Sequence, residues 1–373
     1  MEWAKLIFYD FGIGTFSLLF AFSLVVLGIK RKKEFTKKIL FNCSAIFVAL
    51  FLFELYHFLQ KEHNHVNFGG TYKGNSFVSG YKKDVGFGPY DDTTMVVSAI
   101  KLKNDTVVYD VNYTLKKGKR FIPNNNDSSK KSMYFLGCSF IFGDGLNDKQ
   151  TLPYFFNEYS EHKFNSINYA FSGYGTHQVL KIVETKLKRE VEDSSVAIYL
   201  LLPSHLDRAA GYVDWDKFGP KYEVENNSLI YKGAFDEKTS LNDNYIVDKL
   251  KSSWKKSALY ATFLKPKLTD KDALRVLEII KTIHSSLREK NIRFILLIQT
   301  SESTESEKVI YGDLEKIIYD NLSKTNIEHY YIDSIIPDFR HNYKKYKIKG
   351  DGHPNENYNR ELGKFLAKKL RNK

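Results

Sequence analysis

Two apolar runs open the chain. Phe11 to Ile29 is 19 residues without a charge, and Ile39 to Leu59 is 21 residues carrying only Glu54. Each is long enough to cross a hydrocarbon core of roughly 30 Å at about 1.5 Å per residue. Between them lies KRKKEFTKK, residues 30–38. A short Lys/Arg-rich loop of this kind stays on the cytoplasmic side, so the reading is a two-helix membrane anchor over 1–60 with the rest of the chain outside the cytoplasmic membrane. A cleaved signal peptide accounts for the first run but not the second, and no small-residue cleavage site follows it. Glu54 and His57 share one helical face near the outer end of the second run. They reach the headgroup region or make a polar contact with a partner membrane protein.

The pattern then changes. His63 to Asn75 is polar and Gly-rich and reads as a linker, and residues 94–121 alternate and turn as two β-hairpins would. Residues 61–130 are therefore a linker and β-hairpin segment. From Lys131 onward apolar strands and amphipathic helices alternate. Strands are predicted at 133–138, 166–169, 195–202, 292–299 and 329–333, and helices at 151–160, 176–190, 270–290, 306–324 and 357–371. This predicts an α/β region over 131–373, a three-layer, doubly wound parallel sheet with ligands at the carboxyl ends of its strands. Residues 203–268 break the rhythm and read as an insertion over the site, with a small hairpin around Tyr222–Lys232.

Composition narrows the classes. The 373 residues are 43% hydrophobic and 15% aromatic, which suits a packed core, and the net charge of +12 is scattered with no Arg-rich stripe. That is a basic solvated surface with some attraction for anionic envelope polymer or lipid, not a nucleic-acid interface. Two cysteines, Cys43 and Cys138, do not make a disulfide framework, and zinc spacings are absent. No metal or cofactor is expected.

The candidate chemistry lies at strand ends. Residues 134–146 read YFLGCSFIFGDGL, an apolar run ending in Gly-Cys-Ser, and residues 350–355 read GDGHPN before the last helix. A nucleophilic serine needs a base, and the base needs an orienting carboxylate; Ser139, His353 and Asp351 supply the three. Their order, with Asp and His near the carboxyl end, resembles the SGNH (GDSL-like) hydrolase superfamily over 131–373. The Asp-x-His spacing is similar to that of the branch acting on bacterial envelope polysaccharides. The family's Gly-Asp-Ser is here Gly-Cys-Ser. Adjacent residues point opposite ways, so Cys138 is either a buried thiol or, in a variant reading, the nucleophile.

The resemblance further implies that the oxyanion hole uses the Ser139 N–H, the Gly173 N–H of NYAFSG (168–173) and the residue at the place of the family's Asn. After the strand VAIYLLL that residue is His205, in Pro203-Ser204-His205-Leu206-Asp207-Arg208. Asp207 and Arg208 are candidate substrate-binding groups; His205 with Arg208 is an alternative anion site. Phe140, Phe142, Tyr174, Trp215 and Tyr222 are candidate cleft aromatics.

The implied activity is a membrane-anchored, extracytoplasmic serine O-acyl esterase or O-acyltransferase. It would act on envelope glycan or an acylated saccharide through an acyl-enzyme on Ser139. The alternative is a catalytically weak glycan-binding or accessory protein for a membrane acyltransferase. A lipase or thioesterase acting on the bilayer would instead require a broad apolar groove.

Overall fold

The computed structural model describes residues 12–61, 71–73, 79–90, 94–103, 106–129, 131–187, 195–226, 228–236, 254 and 257–371. The linker expected at 63–75 and the middle of the 203–268 insertion lie largely outside these residues. Two units emerge. One comprises Met1–Val66 with Thr239–Lys267, the other Asn67–Lys238 with Leu268–Lys373. Residues 67–130 thus fall in the same unit as 131–238, and the stretch 203–268 is divided between the units.

In the first unit, α1 (Gly12–Ile29) and α2 (Glu34–Lys61) form where the apolar runs contain no proline to interrupt them. Ser44 donates its hydroxyl to the Ala21 carbonyl at 3.0 Å, and the Phe20 and Phe47 rings meet edge to face at 4.8 Å. Glu34–His57 is long and apolar enough to cross a membrane, while the apolar stretch Phe16–Ile29 of α1 is shorter. Glu54 has an intramolecular use. Its carboxylate accepts the backbone N–H groups of Ala258 and Leu259 at 2.7 and 2.9 Å.

The second unit is built on one nine-stranded sheet. Short strands β1 (Thr71–Lys73), β2 (Ser79–Lys82) and β3 (Gly86–Pro89) lead into the long hairpin β4 (Thr94–Lys103) and β5 (Thr106–Lys116), followed by β6 (Lys119–Arg120). Then come β7 (Ser132–Leu136), α3 (Ser139–Phe142), α4 (Leu152–Tyr159), β8 (Asn165–Asn168), α5 (Thr176–Ile182), β9 (Val196–Leu201) and α6 (His205–Ala209). The hairpin β10 (Pro220–Glu225) and β11 (Ser228–Ala234) precedes α7 (Asp270–Arg288), β12 (Arg293–Ile298), α8 (Glu305–Leu322), β13 (Glu328–Tyr331), α9 (Ile332–Ile335) and α10 (Glu356–Arg371).

The sheet runs β1-β4-β5-β6-β8-β7-β9-β12-β13, with β2 and β3 forming a separate pair. Its last five strands are parallel. In their own order they read 2-1-3-4-5, the flavodoxin-like arrangement whose ligand site lies where the order reverses. The antiparallel β1-β4-β5-β6 group joins this sheet where Arg120 of β6 faces Asn168 of β8. The hairpins expected at 94–121 are therefore an extension of the parallel sheet.

Central strands β7 and β9 are buried at every position, as strands covered on both faces must be. Helices α4 and α10 pack together, as do α5 with α7 and α7 with α8, in the expected α/β layering. The small hairpin β10–β11 packs against α5 and α7.

Candidate active site

Strand β7 delivers Ser139. After Leu136 the chain turns at Gly137, whose φ of 148° lies outside ordinary L-residue space, and Ser139 begins α3. Cys138 is the residue before that helix and has no exposed surface; it packs in the core. Ser139 faces a cleft of about 750 Å³. The alternation of side chains thus resolves in favour of the serine, with Cys138 as a structural thiol. Helix α3 closes with Gly143 in the left-handed region, φ 89°, where a Cβ would stand 2.6 Å from the Thr151 Cγ2. That turn is available only to glycine, and it aims Asp144 back at the cleft.

His353 comes from the turn before α10 and lines the same cleft. Its Nδ1 lies 2.7 Å from the Asp351 Oδ1, and its backbone N–H donates to that oxygen at 2.8 Å. Asp351 lies behind the imidazole, 4% exposed. Its other oxygen, Oδ2, accepts from the Nζ of Lys101 at 2.5 Å. Burial alone would raise the Asp351 pKa. The hydrogen bonds and charge of His353, together with the Lys101 ammonium, overcome that and hold it well below the usual carboxylate range. An Asp on Nδ1 fixes the tautomer that leaves Nε2 free to take a proton.

Several side chains brace the site. Asp144 accepts the Ser172 hydroxyl at 2.7–2.8 Å and stands 3.8 Å from the His353 Nε2. Burial raises its pKa, with His353, Ser172 and Arg120 opposing. Asn168, at the end of β8, donates to the Ile141 carbonyl and accepts the Ala170 N–H. It thereby ties the serine turn to the glycine loop. Arg120 donates to Asp148 and to the Leu146 carbonyl, clamping the far end of the same turn. Lys347 at the cleft wall has its pKa pushed down to about 8 by burial, against the attraction of Glu307 and Asp351.

Of the other expected site residues, Gly173 and Arg208 reach the cleft. Gly173 has φ 85°, and a Cβ there would meet the Trp215 Nε1 at 2.9 Å, so the loop depends on glycine. Arg208 donates to the Tyr174 carbonyl at 2.6 Å.

The expectation for His205 is corrected. It has no exposed surface and does not line the cleft; its ring stacks on Tyr199 and its Nδ1 lies 2.7 Å from the Tyr199 hydroxyl. Burial, with the nearby Arg208 and His177 charges, lowers its pKa well below the ordinary value, so it is a neutral interior imidazole. Asp207 is likewise turned away, bound by the Tyr311 hydroxyl at 2.5 Å. Among the aromatics, Phe140 and Trp215 line the cleft. Phe142, Tyr174 and Tyr222 are core residues; Phe87 and Phe171 take their place at the wall.

The sequence reading overlooked Lys101, Asp144 and Phe87. A signal for Lys101 existed. In β4 the inward-facing positions are Val97, Ala99 and Lys101, and a charge on the apolar face of an alternating strand requires a buried partner. Asp144 and Phe87 lie in loops or short strands without periodicity.

Chemically, one cleft holds a serine hydroxyl, an imidazole oriented by a carboxylate on its Nδ1, and two backbone N–H groups, at Ser139 and Gly173, as candidate oxyanion donors. Its walls are mostly aromatic and aliphatic.

No family model matches the chain, and no curated protein does. Solved structures do resemble it. A lipolytic protein of the G-D-S-L family from Desulfitobacterium hafniense is 12% identical, with a TM-score of 0.41 over 64% of this chain and 99% of that one. A member of the same family from Veillonella parvula is 10% identical, with a TM-score of 0.38 over 65% and 98%. The psychrotrophic esterase EstA from Pseudoalteromonas is 13% identical, with a TM-score of 0.36 over 65% and 100%. The 2-1-3-4-5 sheet, with Ser139 after its first-in-sequence strand and Asp351-x-His353 before its last helix, is the arrangement that the sequence resemblance to SGNH hydrolases implies.

Proposed function

We propose that the chain is a serine O-acyl esterase or O-acyltransferase, anchored to the cytoplasmic membrane with its cleft facing outward, and acting on envelope glycan. The observation that carries the reading is the meeting of Ser139 and His353 in one cleft, with Asp351 on the far side of the imidazole. The Ser139 Oγ attacks the acyl carbonyl carbon while its proton passes to the His353 Nε2. The tetrahedral oxyanion is held by the N–H groups of Ser139 and Gly173. Collapse expels the alcohol, which takes the proton from His353, and leaves an ester on Ser139. Water or a sugar hydroxyl, deprotonated by His353, then attacks that ester and regenerates the serine. Trp215 and Phe140 offer ring faces on which a sugar packs, and Arg208 offers a cation. The two apolar helices supply the anchor, and tethering raises the effective concentration of envelope glycan.

The test is direct. A fluorophosphonate probe should label the full-length chain, and Ser139→Ala should abolish both labelling and release of acetate from a small ester. Adding envelope saccharides should divert the acyl group to a sugar hydroxyl. Fast acetate release with no acylated saccharide would leave an esterase without transferase activity. A chain that neither labels nor turns over would favour the accessory-protein reading, which the withdrawal of His205 from the cleft supports.

A further inference from the structure

Two carboxylates face His353. Asp351 holds Nδ1 at 2.7 Å, and Asp144, from the turn after α3, stands 3.8 Å from Nε2. Each favours the imidazolium, and an imidazolium cannot accept the serine proton. The structure holds a compensating cation. Lys101 enters from β4, a strand of the antiparallel extension, and its side chain is fully buried against the Asp351 Oδ2 at 2.5 Å. A buried ammonium is costly unless paired, and the Asp351 carboxylate supplies that pairing. Arg120 acts on Asp144, Lys347 at the cleft wall interacts with Asp351 and Glu307, and Arg208 and Glu307 line the same cleft as His353.

We propose that Lys101 is a positioning residue that sets the basicity of His353. It locks the orientation of Asp351 through Oδ2, and its positive charge offsets the two carboxylates that face the imidazole. The antiparallel extension is then part of the catalytic apparatus. This rests on the reading of Ser139 and His353 as nucleophile and base.

The experiment measures the rate of Ser139 labelling by a fluorophosphonate probe against pH in the full-length chain, with a His353 NMR titration in parallel. Lys101→Gln removes the charge but leaves a hydrogen-bond donor for Asp351. Its acid limb should move upward by on the order of one pH unit. Lys101→Arg, which keeps the charge, should leave the limb in place. The double variant Lys101→Met/Asp351→Asn buries no unpaired charge, and its His353 pKa should lie above that of Asp351→Asn alone. A limb and a His353 pKa that coincide with wild type in Lys101→Gln, with only stability lowered, would overturn the proposal. So would coincident values in the double-variant comparison. Wild-type protein that is never labelled would count against the enzyme reading, while the NMR titration would still decide the role of Lys101.

Discussion

Replacing Asp144 by Asn should move the acid limb of the pH–rate profile in the direction opposite to loss of Lys101. The substitution keeps the shape of the side chain and an oxygen for the Ser172 hydroxyl, but removes the charge 3.8 Å from the His353 Nε2. Two unit charges at that separation interact by about 4 kcal/mol at an effective dielectric of ~20, and by about 1 kcal/mol in bulk water. Both side chains are largely buried, at 10% and 13% exposure, yet both border the open cleft, so the true value lies between those limits. At about 1.4 kcal/mol per factor of ten, this corresponds to an acid limb displaced downward by roughly one to two pH units. Below the wild-type limb, Asp144→Asn should therefore retain more of its plateau rate than wild type. Hydrolysis of a small acetyl ester, followed from pH 4 to 9, reads this directly. An unmoved limb, or one displaced upward, would refute the electrostatic reasoning and leave Asp144 as a brace for the Ser172 loop.

Other expectations follow from the same geometry. His205→Ala should lower the melting temperature, through loss of a buried ring and its bond to Tyr199, while the folded protein keeps its turnover within a few-fold; a drop of 10²–10³, the usual consequence of losing an oxyanion donor, would return His205 to the site. Cys138→Ala should still be labelled by the probe, and the native thiol should resist alkylation until the chain is unfolded. Because the folded Asp351 pKa lies below the unfolded carboxylate value of about 4, its stabilisation is complete above that pH and is lost as pH falls through the folded value. Melting temperature should accordingly decline below pH ~4 more steeply in wild type than in Lys101→Met/Asp351→Asn. Alkaline phosphatase fused after about residue 70 should be active if the loop at 30–38 is cytoplasmic; a stable but inactive fusion would reverse the orientation.

The parallel half of the fold was legible because burial on both faces leaves near-continuous apolar strands, as at β7, β9 and β12. The serine and the Asp-x-His turn were legible because they sit at strand and helix ends where those runs stop. His205 was misplaced by counting from the end of β9. The count is right, but the one-turn helix α6 rotates the ring inward onto Tyr199, and only three-dimensional packing decides that rotation. Asp207, two residues on, was lost for the same reason. Lys101 escaped because its significance depends on a partner at the other end of the domain, and local pattern carries no information about pairing at that distance.

That separation, 250 residues between Lys101 and Asp351, has a consequence for how activity is acquired during folding. The contacts that complete the site are among the least local in the chain, and such contacts form late because their loop-closure entropy must be met first. Ser139 lies at the end of a strand whose sheet neighbours, β8 and β9, follow closely in sequence. His353 reaches the cleft only when the carboxyl-terminal turn docks against a sheet that already includes β4. On the proposed reading, the nucleophile is therefore made early and armed last. A chain halted anywhere before residue 350 carries Ser139 without His353, and labelling of that serine would become a report that the whole domain has closed.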